Sequence, residues 1–446
     1  MSNVRSKSVI LILLCSAFSI LTGRLLDQSS GAGTSSYRAV YYGARCLIHQ
    51  VDPYNPDEFS RTYMAESGAL PRDTAHKTLF LRAVMICVNL PTTLFLLIPM
   101  ALLPWGLSHL LWLAAIAVSL TLAAVLTYDL VAKNDSRLPL FLICFIMANC
   151  QVLFTVANTA GLVVGLCVIA VWCFLKERFV GLGVVALAIS LALKPHDSGL
   201  VWLWLLVSGG LLRKRALQAA ALVLFIAIPA VLVVSRSSPN WRAELAGNLA
   251  ATSAHGDISD PGPASNSRQG SADIIIDLQT ALSLLYDDPH FYNPATYLIC
   301  GVLILAWLLS ALRSSQLRSK ALAGLACLVP LSMLVSYHRP YDAKLLLLAI
   351  PAVSMLNHDD RWHKLALAVS TLAVFFTSDL PLAFLAVLVR SFHFAAPASS
   401  ARVLLLPILR PAPLALLLMA VVFLWVYLRP SKVESPEPIL APRGPQ

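Results

Sequence analysis

The sequence contains too few charged residues for a water-soluble protein. Of its 446 residues, Asp, Glu, Lys and Arg together make up 13%, whereas 58% are hydrophobic and the mean hydropathy is +0.74. A soluble globular chain carries about a quarter charged residues. A chain with half that share needs an apolar solvent, so the composition excludes a soluble enzyme and predicts an integral membrane protein.

The motifs that define many cofactor-dependent proteins are also missing. The nine cysteines form no CxxC pair and no Cys/His spacing of the kind that holds a metal. Most of them lie in apolar runs, where cysteine behaves as a small hydrophobic residue. No Gly-rich nucleotide-binding loop is present. We therefore predict no metal site and no cofactor.

The basic residues indicate membrane topology and do not predict nucleic-acid binding. The formal net charge is +10, but Lys and Arg stand in short clusters between apolar runs. Such clusters hold loops on the cytoplasmic side of a membrane. We therefore expect a lipid bilayer and no nucleic acid as partner. The clusters are Arg5/Lys7, Lys176/Arg178, Arg213/Lys214/Arg215, Arg313/Arg318/Lys320 and Arg361/Lys364.

The apolar runs predict an all-α, multi-span membrane protein. At ~20 residues per crossing they allow roughly eleven to thirteen crossings. Residues 1–430 are expected to form one membrane domain, and the Pro-rich residues 431–446 a disordered tail. The runs cover about 8–26, 78–103, 107–131, 138–157, 158–175, 179–193, 198–212, 217–235, 294–312, 321–337, 343–357, 364–390 and 403–428.

The charge pattern conflicts with a crossing by every run. Basic clusters place both the N-terminus and Lys176 inside, yet five apolar runs lie between them. An odd number of crossings cannot return the chain to the same side, so one run must be re-entrant or split. The candidates are 78–103, which contains Asn89-Leu90-Pro91, and 138–157.

Two polar loops, at about 27–77 and 236–293, are then expected on the outer face. In the first loop, YRAVYYGARCLIH places Val40, Ala44 and Leu47 on one helical face. This pattern predicts an amphipathic helix on the membrane surface.

Two polar clusters at helix ends are expected on the same face. Lys194-Pro195-His196-Asp197 follows one apolar run, and SYHRPYDAK occupies 336–344 between two others. A boundary lysine is commonly a snorkelling anchor, but an outer lysine runs against the positive-inside bias. Arg and Lys bind phosphate well. The residues predicted to contact a lipid phosphate are Lys194, His196, His338, Arg339, Tyr341, Asp342 and Lys344.

A second group of candidates is more open to plain structural explanations. Asp52-Pro53-Tyr54 fits ordinary turn chemistry, loop tyrosines can anchor in headgroups, and a polar residue in an apolar run can join helices. The candidates are Asp27 and Asp52 as catalytic carboxylates, with Tyr41, Tyr42, Arg45 and Gln151 as substrate contacts.

Four stretches that hold these residues together resemble a GT-C glycosyltransferase, specifically glycosyltransferase family 87. The family is similar to the polyprenol-phosphate-mannose-dependent mannosyltransferases. The resemblance implies a GT-C-type helical bundle in the bacterial inner membrane. It also implies transfer of a sugar from a polyprenyl phosphate to a glycan or lipid acceptor on the outer face. The stretches are YRAVYYGARCLIHQVDPYNP (37–56), LPTTLFLLIPMALLPWGLSHLLW (90–112), 148–215 and SYHRPYDAKLLLLAIP (336–351).

One position departs from the family pattern. Family members place an Asp, the catalytic base, just before the aromatic VYY segment, and the matching residue here is Ser36. Serine alone is no general base at neutral pH, so either Asp27 or Asp52 replaces it or the activity is altered or lost. An inactive relative is therefore one alternative. The other is a flippase of lipid-linked saccharides, although no internal repeat of the kind common in transporters is visible.

Overall fold

The chain forms a helical bundle. A computed structural model describes residues 2–30, 34–67, 70, 74–132, 137–262, 275–313, 318–355, 361–391 and 399–429, and over these the chain is 83% helical with no strands. The predicted tail, 431–446, lies outside the described residues, as does 263–274 of the second polar loop. The all-α prediction is confirmed.

The helices follow one another with short connections. Their bounds are α1 Ser2–Ser30, α2 Ser35–Ile48, α3 Pro56–Glu66, α4 Thr74–Met85, α5 Pro91–Ala101, α6 Trp105–Val131, α7 Arg137–Ala148, α8 Gln151–Val156, α9 Ala160–Lys176, α10 Val180–Leu193, α11 Pro195–Val207, α12 Gly210–Ser237, α13 Trp241–Thr252, α14 Leu278–Leu285, α15 Pro289–Arg313, α16 Arg318–Leu334, a 3₁₀ helix Asp342–Leu348, α17 Ile350–Met355, α18 Arg361–Phe376, α19 Asp379–Ser391, α20 Ser399–Leu409 and α21 Pro411–Leu428.

Proline sets the start of several helices. Pro56, Pro91, Pro195 and Pro411 occupy the first position of α3, α5, α11 and α21. The first N–H of a helix has no partner inside the helix, and the fixed φ of proline suits this position. The same residue cannot continue a preceding helix. At Pro91 and Pro411 a new helix begins inside a predicted apolar run, so these two runs are divided there.

Fewer described helices have the length and hydropathy of a full membrane span than the apolar runs suggest. Within the described residues, six helical segments are long and apolar enough to span it: Arg5–Asp27, Trp105–Val131, Arg137–Val156, Gly210–Ser237, Pro289–Arg313 and Pro411–Leu428. The bent pair α18 and α19 would be a seventh. Other apolar helices are shorter, and α9 is buried along almost its whole length. The side chains of α9 therefore face protein along most of its length, whereas Leu182 and Val185 of α10 are exposed.

An ion-pair cluster shows which predicted run is split. Asp129, near the end of α6, contacts the Arg5 guanidinium of α1 and lies 3.0 Å from Lys176 Nζ at the end of α9. We call this side of the bundle the Arg5 end. Because α1 begins there and α6 ends there, the chain between them makes no net crossing.

The helices between α1 and α6 are too short to cross the membrane. The 12 residues of α4 and 11 of α5 reach about 17 Å each at ~1.5 Å per residue, against a hydrocarbon core of about 30 Å. The run 78–103 is therefore the split one, broken between Met85 and Pro91. The run 138–157 corresponds to a candidate span.

The helix predicted in the first loop is present as α2. Val40, Ala44 and Leu47 are buried, as the pattern predicts. Tyr37 and Tyr41 beside this face, and Tyr42 on the opposite side of α2, are buried as well, because α4 and α5 pack against the helix. Protein therefore covers more of this helix than a single amphipathic face would require.

Close packing of α6 against α9 yields a test of the bundle. A Cβ on Gly165 would lie 2.8 Å from the backbone carbonyl carbon of Ser119, and backbone cannot move aside easily. We expect Gly165→Ala to destabilise the protein by about 1–3 kcal/mol, measured as thermal unfolding in detergent by circular dichroism. Gly181→Ala is the control, because nothing lies within 4 Å of its added methyl group. Equal unfolding temperatures for the two variants would contradict this packing.

Candidate active site at the Lys194 end

The side of the bundle opposite the Arg5 end, where α10 ends at Leu193, contains a buried charge cluster. We call it the Lys194 end. Lys194 has a non-helical backbone conformation between α10 and Pro195, the first residue of α11. Its ammonium group lies 3.1 Å from Asp197 Oδ2 and also contacts Asp342 Oδ1. Both carboxylates are almost fully buried, so Lys194 neutralises charges that water cannot reach.

The loop between α16 and the 3₁₀ helix supplies a second cation. His338 is fully buried, with Nε2 3.0 Å from Asp197 Oδ1 and Nδ1 2.7 Å from the Ser336 carbonyl oxygen. Both ring nitrogens face acceptors, so the ring satisfies both contacts only as an imidazolium. Burial opposes this charge, but the hydrogen bond to Asp197 and the negative charges of Asp342 and Asp197 raise the pKa of His338 above its ordinary value.

Arg339 connects this loop to the second polar loop. Its backbone N–H donates to Asp342 Oδ2 at 2.8 Å, and its Nη2 donates to the Ile258 carbonyl at 3.1 Å. The guanidinium also contacts the Tyr337 hydroxyl. The Lys194 ammonium lies over the Tyr341 ring, 5.6 Å from the ring centroid. Three cations, Lys194, His338 and Arg339, therefore accompany two carboxylates, which leaves one net positive charge.

His196 lies at the exposed edge of the cluster. Its side chain is 44% exposed, and its ring stands edge-to-face with His338 at a centroid distance of 5.0 Å. Ligand atoms of His196, Asp197 and His338 lie within 4.8 Å of one another, close enough to share a metal ion. Such an ion would compete with the proton that His338 shares with Asp197 and with the ammonium of Lys194.

The structure brings together six of the residues predicted to bind phosphate. They are Lys194, His196, His338, Arg339, Tyr341 and Asp342. Asp197 joins them as the carboxylate shared by Lys194 and His338. The prediction omitted Asp197 from the site, although it ends the same KPHD sequence.

Lys344 and Gln151 lie in a separate buried junction. The Lys344 ammonium donates to the Asn149 carbonyl and lies 3.8 Å from Asp379 Oδ1. Gln151 Nε2 donates to the Ala148 carbonyl at 2.6 Å. Sequence reasoning missed Asp379. The available signal was an acidic residue inside the apolar run 364–390, because such residues are rare in membranes and have partners.

Three first-loop candidates have structural partners. Tyr41 donates its hydroxyl to the Leu103 carbonyl at 2.8 Å, and Tyr42 packs edge-to-face on Tyr63. Arg45 binds the Glu66 carboxylate through Nε and Nη2 at 2.6–3.0 Å. These contacts fix α2 and α3 against the first residues before α6. None of these contacts reaches the Lys194 cluster.

The two candidate catalytic carboxylates have different surroundings. Asp27, at the last turns of α1, lies 2.7 Å from Arg24 Nη1. Thr155 joins this helix end to the start of α2, because it donates to the Gly23 carbonyl and accepts from the Thr34 N–H. Asp27 is thus on the segment beside Ser36, whose hydroxyl contacts Asn158 Nδ2 at 3.0 Å.

Asp52 has the contacts of a turn residue. Its Oδ1 accepts from the Tyr54 N–H at 2.8 Å, which closes the turn before α3. Burial raises the pKa of Asp52, and the neighbouring Glu244 carboxyl group raises it further. Asp52 therefore has a defined structural role that the DPY sequence alone predicts.

These features define an integral membrane protein of many helices, with a charged and largely buried site where helix ends meet. The family model for glycosyltransferase family 87 matches residues 88–337, more than half of the chain, and the chain belongs to that family. It is a membrane glycosyltransferase. The resemblance inferred from four sequence stretches is thereby confirmed. No curated protein and no solved structure matches the chain.

The His338 ion pair predicts how stability changes with pH. A raised folded-state pKa stabilises the fold fully below the ordinary value near 6.5, and this contribution is lost as the pH rises through the raised value. We expect His338→Gln to cost about 3 kcal/mol at pH 5.5, with a smaller difference from wild type at pH 9. Thermal unfolding in detergent measures both. His290→Gln, at an exposed histidine, is the control, and a His338→Gln difference independent of pH would contradict the imidazolium.

Proposed function

We propose that this glycosyltransferase takes its sugar from a polyprenyl phosphate and transfers it to a glycan or lipid acceptor at the extracytoplasmic face of the bacterial inner membrane. The proposal rests on the net-positive cluster of Lys194, His338 and Arg339. The half-exposed side chain of His196 lies at the edge of this cluster. A lipid confines its phosphate to the headgroup level. A fixed cationic group at a bundle end suits such a phosphate.

The distribution of basic residues supports this orientation. Arg5 and Lys176 meet at the Arg5 end, and the positive-inside rule assigns such clusters to the cytoplasm. The Lys194 end then faces outward, together with the first polar loop. A donor that is already inside the membrane would reach this end without passing through water.

The proposed transfer needs a base and a stabilised leaving group. The base removes the proton of the acceptor hydroxyl while its oxygen forms a bond to the anomeric carbon. The bond from that carbon to the phosphate oxygen breaks, and the polyprenyl phosphate leaves with the electron pair. Lys194 and Arg339 would stabilise the negative charge that develops on the phosphate. Asp197 and Asp342 hold the ammonium and the loop in place beforehand.

We assign the base to Asp27. The contacts of Thr155 bring the end of α1 beside the start of α2, which includes Ser36, the position that the family pattern gives to the base. We propose that the Asp27 carboxylate replaces the family's base from this neighbouring helix. Asp52, by contrast, already closes a turn through the Tyr54 N–H.

The donor assignment is tested with purified protein in nanodiscs. We expect transfer from a radiolabelled polyprenyl-phosphate mannose or glucose and none from the corresponding nucleotide sugars. Lys194→Gln should lower kcat/KM by about 10²–10³-fold, the usual effect of removing a group that stabilises transition-state charge. Lys364→Gln is the control, because this lysine is exposed on α18, outside the cluster. Transfer from a nucleotide sugar, or a Lys194→Gln variant with wild-type kcat/KM, would refute the proposal.

A second set of variants tests the base. Asp27→Asn should reduce kcat by about 10²–10⁴-fold, the contribution typical of general base catalysis, while Asp52→Asn should change it less than tenfold. Asp57→Asn is the matched control, since Asp57 is an exposed first-turn residue of α3. Full activity of Asp27→Asn would exclude the assignment. A wild type without activity that gains it through Ser36→Asp would identify the chain as an inactive relative.

A further inference from the structure

A buried ion pair lies where three interruptions of helical structure meet. Lys344, on the 3₁₀ helix, is 2% exposed, and Asp379, the first residue of α19, has a side chain that is 4% exposed. Their charged groups are 3.8 Å apart. The ammonium also donates to the Asn149 carbonyl, which the break between α7 and α8 leaves without a helical partner. We call these residues the Lys344 junction.

The junction also caps two helices reciprocally. Asp379 Oδ2 accepts from the Val152 N–H of α8 at 2.8 Å, and Asn149 Oδ1 accepts from the Leu380 N–H of α19 at 3.0 Å. In an apolar interior, backbone groups freed by a helix break need such partners because no water is available. The junction therefore fixes the 69° bend between α18 and α19 and the break before α8 relative to each other.

The junction and the Lys194 cluster share one short structural element. Lys344 follows Asp342 by two residues on the 3₁₀ helix, a separation of about 4 Å along its axis at ~2 Å per residue. Asp342 contacts the Lys194 ammonium and accepts from the Arg339 N–H. One turn of helix cannot move at Lys344 without moving at Asp342. A displacement at the junction therefore reaches the candidate site directly.

We propose that Asp379 is a positioning residue for the candidate active site: through Lys344 it holds the 3₁₀ helix at the place where Asp342 meets Lys194 and Arg339. A purely structural contact would not need charge, because apolar residues of similar volume often replace a buried ion pair without loss of stability. An ion pair, however, defines one relative position of its two helices. The consequence for catalysis rests on the proposed function, whereas the placement of the loop does not.

The test compares Asp379→Asn with a matched variant at the Arg5 end. Asparagine keeps an acceptor for the Val152 N–H but removes the charge that faces Lys344. Asp129→Asn removes a carboxylate from the ion pair with Lys176, far from the site. In nanodiscs we expect Asp379→Asn to increase hydrogen–deuterium exchange in residues 336–348 at least fivefold and to lower kcat/KM for the lipid-linked donor at least tenfold. Asp129→Asn should leave both within twofold of wild type.

A double variant separates positioning from stability. Lys344→Met/Asp379→Asn carries no unpaired charge, so its unfolding temperature should recover relative to Asp379→Asn. If the pair positions the 3₁₀ helix, exchange in 336–348 stays high and kcat/KM stays low. Recovery of both values, or unchanged exchange in Asp379→Asn, would overturn the proposal. A wild type that uses no lipid-linked donor would refute the proposed function, and the exchange comparison would still decide the placement of the loop.

Discussion

The ammonium group of Lys194 lies between two buried carboxylates, and the arrangement of this end of the bundle depends on that contact. Asp197 belongs to α11 and Asp342 to the 3₁₀ helix, two segments far apart in sequence. An isolated buried charge is too costly to persist. The three groups must therefore stay together, which brings α10, α11 and the loop after α16 to one place and leads His338 and Arg339 to the same carboxylates.

The same requirement governs the interior of the bundle. Helix breaks expose backbone groups that water cannot satisfy, and the Lys344 junction supplies their partners from side chains on three segments. At the Arg5 end, Asp129 joins α1, α6 and α9 in a comparable way. Apolar packing supplies most of the contact area, but it is non-directional. The ion pairs specify which helices are neighbours and in which direction they run.

The sequence predicts the class of fold and much of the candidate site. Hydropathy and proline positions give the helices, and KPHD and SYHRPYDAK identify the polar segments that converge. Hydropathy cannot separate lipid-facing from protein-facing apolar helices, so it leaves 78–103 and 138–157 undecided. It also cannot pair distant charges. Lys344 is predicted as a phosphate ligand because it belongs to the SYHRPYDAK cluster, yet it forms an ion pair with Asp379, 35 residues later.

The carboxylates of the cluster determine how its cations act. Without Asp197 and Asp342, three adjacent cations would repel one another, so that the side chains would separate or Lys194 and His338 would lose protons. With them, the group keeps a single net positive charge in a fixed geometry before any ligand arrives. Preorganised charge stabilises a developing phosphate because little has to rearrange at the moment of reaction. In this view Asp342 is as much a determinant of the site as Lys194, and the position of the 3₁₀ helix that carries it becomes a property of the chemistry.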